Sequence, residues 1–436
     1  MSVFSPVCPL PPDGVGYVHS PNVRGTSDII WSSISILLLS TWSLLHLNVP
    51  SHIEGSALSK RKRIQRNLYL TWRKVKWMLL TMFAPECLLG SAFAGYISAW
   101  RSEKDMLRFA AEDDVEWSLM HAHLANMGGF VVRFDTPRPK EFMIPAYLNL
   151  AALQGNVWIL DARQLFIARK TGIISSLPAL READIQDRTK SDGAVKLLAL
   201  TQIAWLILQV IMRSKEHHPS TQLEITTIAF SACAFLTYLL SFAVPQDISQ
   251  PVTLQAARYP TPAEALLLAN QGPAPWFDGV VLERWSWGRR GYWMPDTALH
   301  YVGSDLMGVK LHRFGPFWGG SAVGGLVLGA VHAVAWQMVF PSDWERMAWR
   351  IAAISTAAIP PVYAVVQSMS AAVFMGIAAA VTWIYVSTWY TTLTFVSTVA
   401  YFGVRLFVLV EVVRSMAFLP PGAFVANWSA NIPHLG

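Results

Sequence analysis

Charge is what this chain of 436 residues has little of: Asp, Glu, Lys and Arg make up 14% of it, against about a quarter in an ordinary soluble domain. That shortage argues against a soluble enzyme. Cysteine is nearly absent as well. Of three cysteines, Cys87 and Cys233 fall inside apolar runs and only Cys8 outside, so neither a disulfide framework nor a thiolate metal site can be built. There is no HExxH motif, and Gly128-Gly129 is not followed by the Lys-Ser/Thr pair of a phosphate loop. No internal repeat is visible, which weakens the case for a transporter built from inverted halves. The first 27 residues hold Pro6, Pro9, Pro11, Pro12, Gly14, Gly16 and Pro21 with no basic segment leading into an early apolar core. They are expected to form a flexible tail and not a cleavable signal.

What remains is apolar: 53% of the residues are hydrophobic and 19 are Trp, a balance that suits lipid-facing helices with aromatic belts. Runs of about 20 apolar residues match the hydrocarbon thickness. They occur at residues 28–47, 75–100, 195–212, 223–244 and 317–340, and residues 348–413 have length for two or three more. The partition of that last stretch is open because Pro360-Pro361 removes backbone donors. The expected fold is all-α, a polytopic transmembrane bundle of about seven spans (six to eight) with two large extramembrane loops. The segments are 1–27 (tail), 28–100 (two spans with a basic loop), 101–194 (mixed-charge helical loop), 195–245 (two spans), 246–316 (an irregular Pro/Gly/Trp-rich cap), 317–415 (the remaining spans) and 416–436 (tail). Lys60, Arg61, Lys62, Arg63, Arg66, Arg73, Lys74 and Lys76 crowd one stretch. They read as a cytosolic topology signal and not as a nucleic-acid patch. That puts the N-terminal tail on the lumenal or exterior face, and both large loops are then expected to face away from the cytosol as well.

Ionisable residues within such runs are functional candidates by default. Glu86 follows Pro85 inside the second run, where a charge costs about 2.5 kcal/mol or more. It reads either as a hydrogen-bonding partner of the backbone defect made by Pro85 or as a proton donor. Arg405 and Glu411 share the last run six positions apart, about 120° around a helix, so each is expected to face other helices. Asp28 and Glu224 open spans, where carboxylates cap helices. His121 and His123, spaced i, i+2 in a helical setting, point to different sides and do not make a two-histidine metal site. Taken singly, His46, His121, His123 and His332 read first as satisfied structural groups. The run Glu112, Asp113, Asp114 and Glu116 invites comparison with magnesium-binding carboxylates, but lacks a second acidic motif and reads first as a solvated helix face. The candidate catalytic residues are Glu86, His121, Glu411 and Arg405; no metal ligands are identified and no cofactor is named by the sequence. Asn427-Trp428-Ser429 is a glycosylation sequon, usable on the lumenal side.

Several ordered motifs carry a resemblance. They are Trp42-Ser43-Leu44-Leu45-His46-Leu47-Asn48-Val49-Pro50, Ala84-Pro85-Glu86, Trp117-Ser118-Leu119-Met120-His121-Ala122 running into Asn126-Met127-Gly128-Gly129, Ile185 to Asp192, Leu223-Glu224, Tyr401 to Glu411, and Asn427-Trp428 to Pro433-His434. Together they resemble a large, mostly uncharacterised family of multipass membrane proteins of filamentous fungi. The resemblance covers most of the chain, with mild departures at Thr189 and Val404. It implies a source kingdom and a topology class and supplies no reaction. Asp187, Asp192, Trp428 and His434 are motif residues beside the candidates above.

Three functions follow as expectations. The first is an enzyme or accessory factor acting on a lipophilic metabolite of fungal specialised metabolism, with Glu86 as proton donor, His121 or Glu411 as base or charge stabiliser, and Trp77, Trp100, Trp117 and Trp205 as candidate aromatic walls. The second is a structural or sensing endomembrane protein. The third is a proton-coupled transporter using Glu86, Arg405 and Glu411. The expected partners are the lipid bilayer and a lipophilic small molecule, with no nucleic acid. The expected location is the endoplasmic reticulum or another endomembrane, with the plasma membrane as the alternative.

Overall fold

Six helices are long and apolar enough to cross a membrane, seen in a computed structural model that describes residues 11–12, 16–19, 24–50, 59–135, 156–189, 193–275, 294–300, 314–376 and 380–426. They are α1 (Thr26–Leu44), α7 (Gly193–Lys215), α8 (Gln222–Leu240), α10 (Phe314–Ala333, extended by a 3-10 turn Val334–Gln337), α11 (Asp343–Gly376) and α12 (Ala380–Ser415). Residues 348–413 thus divide into two long helices, and Pro360-Pro361 lies inside α11 without ending it. Pro360 packs against α10, where a Cβ on Gly325 would come within 2.6 Å of its ring. Neighbouring helices can support a proline within a span in this way.

The expected second span differs. The basic stretch is helical and belongs to α2 (Lys60–Phe83), while α3 (Pro85–Glu112) starts after a single residue, and the two axes are bent by 108°. Ala84 makes the break with φ −138° and ψ 67°, and Pro85 takes the first turn of α3, where its missing N–H leaves no bond unmade.

Contacts define how the crossings run. Arg24, just before α1, pairs with Glu224 in the first turn of α8. At the other ends of the same helices, Gln246 Nε2 donates to Ser43 O at 3.2 Å and to Leu45 O at 3.3 Å. α1 and α8 are therefore parallel. Gln222 Nε2 donates to Val339 O at 2.6 Å, so α10 runs the opposite way and finishes beside the start of α8. There too lie Glu345, at the start of α11, and Arg414, at the end of α12, which form an ion pair. Arg24 N donates to Phe424 O at 3.0 Å. One end of the bundle, here called distal, thus holds the residues just before α1 and just after α12.

The proximal end carries the extramembrane part: α4 (Leu119–Asn126), β1 (Phe130–Arg133), β2 (Val157–Ile159), α5 (Ala162–Lys170), α6 (Glu182–Arg188), β3 (Val252–Gln255), α9 (Pro262–Asn270), β4 (Ala274–Pro275) and β5 (Ala298–Leu299). The fold is mostly helical with a small sheet of order β2-β1-β3, antiparallel on one side and parallel on the other. Phe130, Trp158, Leu160, Leu165 and Ile185 are in its fully buried core. Asp161 and Thr261 start α5 and α9 by accepting the N–H of Gln164 and Glu264.

Both arms of the α2–α3 pair reach this proximal end. Arg73 of α2 donates through Nε to Asp296 Oδ2 at 2.6 Å and through Nη2 to Asn48 O at 2.9 Å. On α3, Ser98 accepts from Asn126 of α4 at 3.3 Å. Their junction instead lies beside the middle of α10, where a Cβ on Gly324 would come within 2.8 Å of Glu86. The pair enters and leaves from the same end as a V, which leaves six helices as candidate membrane spans. The sequence expectation had counted residues 75–100, broken near Pro85, as one of about seven spans, with six to eight possible.

Candidate functional site

The tip of that V gathers polar side chains midway along the helices. A helix break frees backbone carbonyls, and Arg405 of α12 takes one of them: its Nε donates to Phe83 O at 2.9 Å. Four residues earlier on the same face, Tyr401 Oη donates to Glu86 Oε1 at 2.7 Å. Between them Phe402 stacks on Phe83, with ring centroids 5.2 Å apart. α8 contributes Cys233, whose Sγ donates to Gly324 O at 3.6 Å. Glycine lets α10 close on α3: a Cβ on Gly320 would meet the Gly90 Cα at 2.9 Å. Gly320 and Gly324 are four apart, as are Gly325 and Gly329, which face Pro360 and Ala357 of α11. This is the small-xxx-small packing of membrane helices.

Glu86 is 1% exposed. Among the described residues its Oε2 has no hydrogen-bond partner, and neither has Nη1 of the buried Arg405. No ion pair joins the two among the described residues, although both act electrostatically on Tyr401, Cys87 and Cys233. A carboxyl with one oxygen fixed and one open is the arrangement a general acid or base needs. A guanidinium with an open N–H donor can hold a developing negative charge.

The other candidates lie apart. Glu411 is buried on α12 distal to Arg405, with Oε1 unpartnered among the described residues. His332 Nδ1 meets Leu328 O at 2.6 Å, its carbonyl accepts from Trp349 Nε1 at 3.1 Å, and its Nε2 is open. His121 does not approach Glu86. It sits in the extramembrane core, where Nδ1 accepts the Ser118 N–H at 3.2 Å and Nε2 donates to Leu180 O at 2.7 Å. Both ring nitrogens are thereby engaged. Trp77 donates to Asp296 at 2.9 Å, Trp117 belongs to the extramembrane core, and Trp100 lies under the Lys104 ammonium.

The acidic run serves attachment. Asp113 accepts from Arg169 Nε and Nη2 at 2.9 and 2.6 Å and from Leu177 N at 2.7 Å, while Glu116 accepts the Glu182 N–H at 3.0 Å. The Arg169 hydrogen bonds hold the Asp113 carboxyl below the usual carboxylate range. Asp28 and Glu224 cap their helices, accepting from Gly25 N and Thr221 N at 2.9 Å each. At the junction of the two parts, the Nε2 atoms of the buried His123 and the half-buried His46 have no partner among the described residues, and His300 Nδ1 lies 3.1 Å from Asp161 Oδ2. Burial, with smaller contributions from His46 and His300, pushes His123 down to about 3. No group of three or more His, Cys, Asp or Glu side chains is placed to hold a metal among the described residues. Asp192, Asn427, Trp428 and His434 lie outside those residues.

Sequence reasoning missed the role of Tyr401. The signal was its spacing of four from Arg405, which sets both on one face of α12. It also missed the two glycine pairs of α10, readable as Gly-xxx-Gly.

The class is a mostly helical protein whose long apolar helices suggest that it is embedded in a membrane. The chain belongs to a family of unknown function, DUF8562, whose pattern matches residues 6–269, more than half of its length. That stretch includes Glu86, His121 and Cys233 and stops before Tyr401 and Arg405. No curated protein and no solved structure matches the chain.

Proposed function

We propose that the chain is an enzyme, or an accessory factor of one, that moves a proton on a lipophilic metabolite dissolved in an endomembrane such as the endoplasmic reticulum, in the setting of fungal specialised metabolism. One observation carries the reading: Glu86, deep among crossing helices, has Oε1 held by Tyr401 and Oε2 open, beside an arginine with an open donor. As a carboxylate, Oε2 would take a proton from the carbon next to a substrate carbonyl. The C–H electron pair would pass into an enolate, whose charge collects on the substrate oxygen, and Arg405 Nη1 is the donor for it. Return of the proton from Glu86 to a more distant carbon of a conjugated enolate restores the carboxylate. The net change is a shifted double bond that needs no oxidant or reductant. His121 takes no part in this scheme.

The test is untargeted metabolite profiling of a deletion strain beside strains carrying Glu86→Gln or Arg405→Gln, with protein abundance measured in each. The expected result is one lipophilic precursor accumulating in all three. Unchanged metabolites with full-abundance Glu86→Gln protein would overturn the reading. A second reading, proton-coupled transport, draws on the broken α2–α3 pair at depth. It predicts that Glu86→Gln stops a solute flux in vesicles and leaves every metabolite structure unaltered. If both tests are negative, a structural or sensing role stands, supported by the Arg24–Glu224 and Glu345–Arg414 pairs that tie the distal end.

A further inference from the structure

Helix α2 reaches out from the bundle over its first half, and nothing among the described residues covers it. Ile64, Leu68, Tyr69 and Trp72 are 59%, 66%, 56% and 63% exposed, and Leu79 is 58% exposed nearer the tip of the V. On a 3.6-residue helix Ile64, Leu68, Trp72, Val75 and Leu79 fall within about 80° of one another. Lys62, Arg63, Arg66, Arg73 and Lys74 fall on the opposite face, with Lys60 and Arg61 at the N-terminal end. Arg73 and Lys74 are committed to Asp296 and Asp247 at the proximal end. Lys60, Arg61, Lys62, Arg63 and Arg66 make no ion pair among the described residues. A fully solvated helix would leave the apolar stripe wet. A fully buried one would leave five cations unpaired. The 108° bend resolves the conflict, because it tips α2 away from the axis of α3 while Arg73 anchors it at the level where α1 ends.

We infer that α2 is an interfacial helix that binds anionic phospholipid: its apolar stripe enters the acyl boundary of the proximal leaflet, and residues 60–66 hold acidic headgroups. Charge complementarity selects the occupant, since the free charges are all of one sign and a second copy of this face would oppose cation to cation. A basic amphipathic helix with Trp and Leu on its other face has the composition of a leaflet-bound segment. The site is independent of the chemistry proposed for Glu86.

The test titrates the purified full-length protein in detergent with phosphatidylserine or phosphatidylcholine and counts bound lipids by native mass spectrometry. The wild type is expected to prefer phosphatidylserine, and the preference should weaken as salt rises. The variant carrying Lys60→Gln, Arg61→Gln, Lys62→Gln and Arg63→Gln should lose about tenfold or more in phosphatidylserine binding, from the contribution of each basic group near an anionic surface. Equal binding of the two lipids by the wild type, or a preference that survives added salt, overturns the inference without reference to any variant. A spin label at Leu68→Cys in a Cys8→Ser background reports depth in nanodiscs. Access to a lipid-soluble relaxant is expected. Exposure to an aqueous relaxant, or protection that depends on protein concentration as a second copy would cause, overturns it.

Discussion

The centre of the extramembrane part and the tip of the α2–α3 V bury polar groups in two different ways. His121, in the former, uses both ring nitrogens; Asp113 accepts three hydrogen bonds; Asp161 and Gln164 close a capping box. In the bundle Glu86, Arg405, His332 and Glu411 each keep one polar atom without a partner among the described residues. An open polar atom is expensive in a medium without water, so each site that keeps one is the less economical construction. What this teaches is where to look for function. Closed networks hold structure together, whereas open ones persist at a thermodynamic penalty that stability alone does not explain.

The sharpest way to break this contrast is Glu86→Gln. If the open group is functional, turnover of the accumulating precursor should fall about a hundredfold or more, while the melting temperature in detergent holds or rises because a buried carboxyl has become neutral. A large loss of stability instead would make Glu86 a structural group. Next in size is His121→Ala, which removes two hydrogen bonds and leaves a cavity. Unfolding free energy should drop by about 3 kcal/mol, read as a lower denaturant midpoint, with the activity per folded molecule unchanged. Asp113→Ala should be somewhat milder, about 2 kcal/mol, since Arg169 is 19% exposed and can turn to water once its partner is gone; limited proteolysis at the α3–α5 contact would report it.

The effect that is smallest per step of the experiment is the pH response of His123. Its folded value is about 3 against 6.5 unfolded, so above pH 6.5 both states are neutral and stability is flat. As the pH falls below 6.5 only the unfolded chain takes up the proton. Stability should then decline by at most about 1.4 kcal/mol per pH unit until the folded value is reached. Thermal melts of the wild type and His123→Phe between those limits should diverge in that direction; parallel curves would show that His123 is not buried as described.

Much of the bundle was legible because its signal is local. Apolar runs of membrane length gave α1, α7, α8 and α10 to within a few residues, and Asp28 and Glu224 read correctly as caps. The V of α2 and α3 was not legible as such: Pro85 marked a break, but the same residues summed to one run of spanning length. Only contacts of Arg73 with Asp296, 223 positions away, show that the chain turns back. The sheet failed for a related reason. Its strands are three or four residues long, and β1 pairs with β3 across a separation of more than 100 residues, so no hairpin signal exists. Of the site, Glu86 and Arg405 stood out as charges in apolar runs. That Tyr401 joins Glu86 and that His121 does not are facts of packing, which residue type alone does not encode.

The distal end has a consequence for how the protein is made. Arg213 donates to the carbonyls of Gly422, Ala423 and Val425 as well as Pro219, and Arg24 donates to Phe424. The start of α1 and the end of α7 are therefore clasped by residues among the last of the described chain to leave the ribosome. Until they arrive, Arg213 has only the Pro219 carbonyl and the Arg24 backbone N–H lacks its acceptor, so the nascent bundle stays incompletely locked however many helices have already inserted. Truncation shortly before Gly422 should consequently yield a chain that inserts normally and is then recognised by membrane quality control.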